Sequence, residues 1–435
     1  MKQILLSTLF LSICNLLSAQ TPCDDGRYSS TVFSDFTKIS NITYGSNTSW
    51  TGGSTTLKMD FYEPEGDTET ERPLLVWVHG GSFIGGSKTD PDMVEFSERF
   101  SKMGYACASI DYRLGFFPFD SANAVKAVVR AVQDLRGAVR YFYKDKQTVN
   151  QYKIDTNKIF IGGSSAGAIT ALHMAYLDDA CKISDYLNES TISSMGGLEG
   201  TSGSTGYSSD IQGVVNGCGA LARYSWIEID DVPLCSIHGT ADDVVKYNRG
   251  VVDPGTPLMY LDGSRMLHER ACAIGLEEYF YTFPGAGHVP YISNASIMNT
   301  TVDFIRDFLV KQMGCDEAIL QPENDPMETA FLYPINDCDG NPIDDECTSS
   351  GIAENNSFDL EIYPNPAQNE LTIKSDNLLD RIEIYNLVGQ RIYTKNYMLN
   401  EIKVNLSNIE SGSYIVRVFD NQNRTSKAHL IEINK

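Results

Sequence analysis

The stretch "IGGSSAGA", Ile161 to Ala168, sets two serines side by side between a short apolar run, "KIFI", and a helical pattern, "AGAITALHMAYL". A serine becomes a nucleophile on a sharp strand-to-helix turn, where glycines two positions to either side let neighbouring backbones approach with no Cβ in the way. Ser165 has that spacing, with Gly163 and Gly167, whereas Ser164 has Gly162 but Ala166. Ser165 is therefore the expected nucleophile, and the amide of Ala166, at the start of the next helix, would face an oxyanion forming on its target. The hydroxyl also needs a base to take its proton, and an imidazole base needs a carboxylate to fix its tautomer. Two strand ends downstream offer these groups: "PLCSIHGTADDVV" carries Asp242 and Asp243, and "EYFYTFPGAGHVPY" carries His288 behind a small-residue turn. Acyl transfer through a serine intermediate is the chemistry such a set performs.

The remaining histidines read as supporting residues. His79, ahead of the glycines of "WVHGGSFIGGS", is expected to stiffen that loop, and His238 to shape the acid loop. His173, two helical turns past the serine, is expected to be packed, while His268 and His429 are expected to be solvated.

These residues need elements that hold them. Between Thr56 and Phe308 short apolar runs alternate with longer helical patterns, which predicts strands joined by crossover helices. "LKMDFY" alternates with period two, and "PLLVWVHGG" is a continuous apolar run, as in a strand buried on both faces of a parallel sheet. "YACASIDY", "KIFIGG", "GVVNGCG", "PLCSIHG" and "EYFYTF" repeat the theme, and Ser121 to Tyr143, "ALHMAYL" and "TVDFIRDFLVKQM" carry the period of amphipathic helices. The fold class is α/β, a doubly wound and mostly parallel sheet. The Gly/Ser-rich loop within Cys181 to Asp210 is too polar for a core and is placed at the surface, near the carboxyl ends of the strands where such folds bind ligands.

The 435 residues carry a formal net charge of -23, which repels phosphate backbones and anionic lipid, so nucleic acid is excluded as a partner. The opening "MKQILLSTLFLSICNLLSAQ" has the three parts of a secretory signal peptide, residues 1–19, too short in its apolar run to span a bilayer; no stable membrane insertion is expected. Ten cysteines become nine without Cys14, enough for a few disulfides with at least one thiol left over; Cys338 with Cys347 is the most plausible local pair, and no spacing is that of a zinc site. Residues 21–315 form the expected catalytic region. Residues 316–356 form an acidic linker whose "DCDGNPIDDEC" has carboxylates enough for calcium but reads as solvated chain. Beyond it, "ELTIKS", "RIEIYNLVGQRIYT", "EIKVNLS" and "GSYIVRVFD" alternate with no helical segment, a small all-β sandwich over residues 357–435.

Two resemblances join these readings. The last segment resembles the C-terminal sorting domain of the Bacteroidetes type IX secretion system, through "YPNP" at Tyr363 to Pro366, "IYNLVGQ", "SGSYIVRV" and the basic Lys427. That implies passage through the periplasm, the type IX machinery as partner, and a secreted or cell-surface protein. "HGGSF", "DYRLG" at Asp111 to Gly115 and "GSSAG" resemble the carboxylesterase and hormone-sensitive-lipase-like branches of the α/β-hydrolase superfamily. The resemblance implies oxyanion donors at the amides of Gly81, Ser82 and Ala166, with Ser82 standing where the family has a third glycine. The order serine, acid, histidine matches the superfamily, and its HGxxD spacing points to Asp242, with Asp243 as fallback. It further implies a serine ester hydrolase needing no metal or organic cofactor. Export to where polymers are met, a loop from Ser193 to Asp210 too polar for a lipase lid and the acidic surface point to small or polymer-linked esters of short acyl or hydroxycinnamoyl groups. An extracellular lipase or polyester hydrolase, a serine peptidase and a noncatalytic adhesin are the alternatives.

Overall fold

A computed structural model describes residues 26–315, 360–386, 391–407, 409–420 and 429–435. The signal peptide, Cys23, the acidic linker with its calcium reading and Cys338–Cys347 pair, and Lys427 lie outside the described residues.

The larger unit runs β1 (Phe36–Thr48), β2 (Ser54–Pro64), β3 (Arg72–Val78), α1 (Pro91–Lys102), β4 (Ala106–Ile110), α2 (Ser121–Gln147), β5 (Ile154–Ser164), α3 (Ala166–Tyr176), α4 (Ala180–Ile183), α5 (Glu189–Ser194), β6 (Gly213–Gly217), β7 (Ala220–Leu221), β8 (Leu234–Gly239), β9 (Arg249–Val251), β10 (Tyr260–Gly263), α6 (Ser264–Ile274), β11 (Glu278–Phe283) and α7 (Ala295–Gln312). Eight strands make one sheet in the order β1-β2-β4-β3-β5-β6-β8-β11. The β1–β2 and β2–β4 pairings are antiparallel, and every pairing from β4 to β11 is parallel. Strand β3 explains the two-sided arrangement: Leu74, Val76 and Val78 face one apolar cluster while Leu75 and Trp77 face another. Helices α2, α3 and α6 cover the first face and α1 and α7 the second, each burying an apolar stripe against the sheet. Strand β1, helices α1 and α6 and the β9–β10 hairpin go beyond the elements read from the sequence.

The Gly/Ser-rich loop serves packing: residues 195–203 run between β1 and α2, with Ser202 beside Arg113 just past the carboxyl end of β4. Ser202 is buried, Gln133 of α2 donates to the carbonyls of Met195 (2.9 Å) and Gly197 (2.6 Å), and Arg140 donates to that of Gly203 (3.0 Å). Small residues are needed because the backbones nearly touch: a Cβ on Gly45 would sit 1.6 Å from the Ser202 carbonyl oxygen.

The smaller unit contains β12 (Glu361–Tyr363), β13 (Glu370–Asn386), β14 (Arg391–Asn405), β15 (Gly412–Asp420) and β16 (His429–Ile433). All five strands are hydrogen-bonded into one antiparallel sheet, as expected of a small all-β unit. In β13 the buried apolar residues are Leu371, Ile373 and Leu379, then Ile382 and Ile384. This change from odd to even positions falls at the register shift between Leu379 and Arg381, a bulge that turns the strand while its apolar side chains stay in one cluster.

Candidate active site

Three loops at the carboxyl ends of β3, β5 and β8, joined by the one after β11, bring the sequence candidates together. Ser165 has φ 54° and ψ -119°, a backbone state costly for a residue with a Cβ. The surroundings hold it there: its amide donates to the Gly217 carbonyl (2.8 Å) and its carbonyl accepts from Ile169 at the start of α3 (2.9 Å). The flanking glycines are required by the end of β3, since a Cβ on Gly163 or Gly167 would lie 2.3 or 1.9 Å from the Val78 carbonyl oxygen. Ser164 points the other way, buried, with its hydroxyl 2.8 Å from that of Tyr291.

His288 Nε2 lies 2.8 Å from Ser165 Oγ, and its Nδ1 donates to Asp242 Oδ2 at 2.6 Å. Asp243 is exposed and takes no part. Asp242 accepts three further bonds: from His238 Nε2 (3.1 Å) to the same oxygen, and to Oδ1 from the amides of Val244 and Val245 (both 2.9 Å), completing a fixed orientation with His288.

 The four donors on this carboxylate are thus His288, His238 and the two backbone amides. Burial pushes the Asp242 carboxyl up, but the hydrogen bonds from His238 and His288 outweigh it and hold the group well below the usual carboxylate range. The acid and histidine loops are stitched to each other: Ala241 donates to the Ala286 carbonyl (2.9 Å) and Gly285 to Thr240 Oγ1 (2.8 Å). Gly239 makes this possible, because a Cβ there would lie 2.4 Å from the Ala286 carbonyl oxygen.

The loop after β3 is strained as well, with left-handed φ at Gly81 (100°), Ser82 (54°) and Phe83 (62°). Ser82 therefore adopts the conformation that a glycine would take freely. His79 Nδ1 donates to the Gly80 carbonyl (2.7 Å), and Tyr112 of "DYRLG" stacks on the His79 ring and donates to the His79 carbonyl (3.1 Å). Among the described residues, the amides of Gly81, Ser82 and Ala166 have no intramolecular acceptor, and all three residues line the space around Ser165.

That space has two sides. One is an apolar pocket of about 750 Å³ including its mouth, with walls from α2 (Val125, Val128), α3 (Ile169, His173), Trp226 and the segment Val244 to Leu261. The other is an open cleft beside His288, edged by Asp90, Asp92 and Asp253. The apolar wall residues carry no chemical signature in the sequence, and His173, read there as simply packed, is packed and also lines the pocket. Cys218, His238 and Asp242 lie close enough to suit a metal ion, but both His238 nitrogens are already engaged, Nδ1 with Ser264 and Nε2 with Asp242 and Val245. Cys107, Cys218 and Cys235 are free and buried, with the Cys107 and Cys218 thiols pushed up to about 12 by burial, while Cys181 and Cys315 are disulfide-bonded.

Sheet order, strained serine turn and the loops that meet it define an α/β-hydrolase. Residues 59–220 match the BD-FAE family model and residues 361–432 that of the secretion system C-terminal sorting domain. The larger unit is thus similar to the BD-FAE family over less than half of the chain, and the smaller unit matches a secretion-type sorting domain, which marks the protein as secreted or held at the cell surface. Among the described residues no helix is long and apolar enough to cross a membrane. Gut esterase 1 of Caenorhabditis briggsae is 32% identical over 117 residues, 27% of this chain and 20% of that protein. The ulvan lyase NLR42 of Nonlabens ulvanivorans is 31% identical over 88 residues, 20% of this chain and 16% of that protein. The chain thus spans about a fifth of the length of the curated relatives it matches. Among solved structures, esterase 2 of Thermogutta terrifontis phosphorylated by paraoxon is similar, at 20% identity and TM-score 0.46, over 64% of this chain and 95% of that one.

Proposed function

We propose that the protein is a carboxylic ester hydrolase using Ser165 as nucleophile, His288 as base and acid, and Asp242 as orienting carboxylate. The observation that carries this is the unbroken hydrogen-bonded path from Ser165 through His288 to Asp242 at a strained turn. Ser165 Oγ attacks the ester carbonyl as its proton passes to His288 Nε2, and the carbonyl oxygen becomes an oxyanion on the amides of Gly81, Ser82 and Ala166. Asp242 stabilises the imidazolium. The C–O bond to the alcohol then breaks as His288 returns the proton to the leaving oxygen, and a water activated by the same nitrogen releases the acid and restores Ser165.

Because His288 must reach the leaving oxygen, the alcohol belongs on the His288 side, in the open acidic cleft, and the acyl group in the apolar pocket. This division favours apolar or aryl acyl groups, including hydroxycinnamoyl, on hydroxyl-rich alcohols such as polysaccharides. The exposed side chains of Ile84, Phe117 and Phe119, close to the pocket-lining Phe83, favour a second reading, an extracellular lipase or polyester hydrolase. Residues 21–315 form the catalytic unit, joined through residues 316–356 to a sorting unit of residues 357–435 that engages the type IX secretion machinery after passage through the periplasm.

Hydrolysis of aryl acetate, butyrate and cinnamate esters by the full-length protein, with Ser165→Ala as control, tests the reading. Turnover lost in Ser165→Ala is expected, and no turnover of any ester by the wild type would overturn it. A rise in rate at an oil and water interface would favour the lipase reading.

A further inference from the structure

The apolar pocket holds a polar side chain that the proposed reaction does not use. His173 is 5% exposed, and its ring lines the pocket with its edge against Trp226 (5.7 Å between centroids). Its Nδ1 lies 2.7 Å from the Ile169 carbonyl oxygen one turn back along α3. A carbonyl oxygen only accepts, so Nδ1 carries the proton. Burial lowers the imidazole pKa to about 4 despite that bond, so the ring is neutral where an extracellular enzyme works. A neutral ring protonated at Nδ1 presents a bare lone pair at Nε2. Among the described residues no donor meets that nitrogen. An acyl group that fills the pocket without offering a donor would leave this acceptor unpaired, at a cost of about 1–3 kcal/mol.

The position fixes what can reach it. Eight residues of helix separate Ser165 from His173, a rise of about 12 Å, and side chains on a helix lean back toward its N-terminus. An acetyl group held on Ser165 is too short to span that interval, whereas an extended acyl group with a hydroxyl at its far end reaches into the same pocket. We infer that His173 Nε2 accepts a hydrogen bond from a hydroxyl at the distal end of the acyl group, so that the pocket selects acyl chains ending in a donor, such as para-hydroxyaryl acyl groups. This rests on the ester-hydrolase reading and adds a specificity residue to it. A site built around an acceptor discriminates strongly against ligands that lack the donor, because the acceptor is then left unpaired.

The substrate series needs no variant: matched esters of 4-hydroxycinnamic, cinnamic and 4-methoxycinnamic acid, with kcat/KM measured on the full-length protein. The expected order is hydroxy first by about tenfold or more, then unsubstituted, then methoxy, whose oxygen brings a second lone pair against Nε2. A hydroxy to unsubstituted ratio near one, or methoxy equal to hydroxy, overturns the inference. In His173→Leu the ratio should fall toward one, and in His173→Gln, which retains an acceptor, part of it should survive; an undiminished ratio in His173→Leu also overturns it. An aryl butyrate assayed beside the series separates the two readings. No hydrolysis of any ester sinks the ester-hydrolase reading itself, whereas butyrate hydrolysis with no hydroxyl preference sinks only the role of His173.

Discussion

The two sides of Ser165 are built from different material. The apolar side continues the core: Val125, Val128 and Ile169 sit on helices whose other residues pack against the sheet, and the pocket is a gap in that packing. The side next to His288 is made of loop ends, where Asp90, Asp92 and Asp253 face an open cleft. Asp92 is buried, and burial raises its carboxyl pKa against a hydrogen bond from Ser164. Ser165 stands at the boundary, on a strained turn that lets a single oxygen face both. The lesson is that selectivity for the acid and for the alcohol rests on separate elements, and each can be changed alone.

The largest expected effect removes both sides at once. Ser165→Ala and His288→Ala should each lower kcat by about 10⁶, because the two act as one unit. Asp242→Asn should cost about 10⁴ through the wrong tautomer at His288. Asp243→Asn, exposed and outside the network, should change kcat less than about twofold. Pre-steady-state and steady-state kinetics on one aryl ester read all four, and equal losses at Asp242 and Asp243 would remove the acid assignment.

Filling the apolar side should alter one half of the comparison only. Val128 borders the pocket from α2, so Val128→Phe should lower kcat/KM for cinnamoyl esters by about 10–200-fold, the range set by a change in hydrophobic fit. The loss for acetyl esters should be much smaller. A uniform loss across acyl lengths would mean that the acyl group does not lie there.

What the sequence made legible follows this division. Ser165 with Gly163 and Gly167 was readable because the constraint is local: three residues and one passing strand end decide it. Asp242 over Asp243 required the resemblance, since neighbouring carboxylates differ only in which one the β8 turn directs at His288. The apolar pocket was not readable. Its walls come from α2, α3, Trp226 and the hairpin, far apart in the chain, and their valines and leucines look like any core. The role of the Gly/Ser-rich loop was not readable for a related reason: its small residues serve a close passage between β1 and α2, and composition does not distinguish that from an open ligand site. In the smaller unit alternation revealed strands, but not the odd-to-even change within β13 that keeps both halves of the bent strand on one core.

A third measurement asks whether the apolar side is dry. His173 is held neutral, with its pKa lowered from 6.5 to about 4, while in the unfolded chain it takes a proton near 6.5. Between those values the unfolded state binds more protons than the folded one, so stability should fall as pH falls through this window, by on the order of 3 kcal/mol from this residue. Asp242 contributes only at lower pH, because its depressed carboxyl keeps its charge until pH falls below the ordinary carboxylate range. Denaturant unfolding at pH 7 and pH 4.5 should therefore show a smaller pH dependence for His173→Gln than for the wild type. Equal dependence would mean that water reaches the ring and that the pocket is not closed.

The smallest expected effect lies on the open side. Asp90 and Asp253 give the alcohol cleft a negative field, but the cleft is solvated, so each half-exposed charge is worth little and is screened by salt. Esters of one acid with a cationic, a neutral and an anionic alcohol should rank in that order, with about two- to fivefold steps at low ionic strength. Asp253→Asn removes one half-exposed member at the cleft edge and should narrow the cationic to anionic ratio while leaving the acyl preference unchanged. Salt should narrow the ratio in the wild type and have less left to remove in the variant. If Asp253→Asn instead shifts preference among acyl groups, the alcohol and acyl sides are exchanged. The leaving oxygen would then lie away from His288, contrary to the path of its proton.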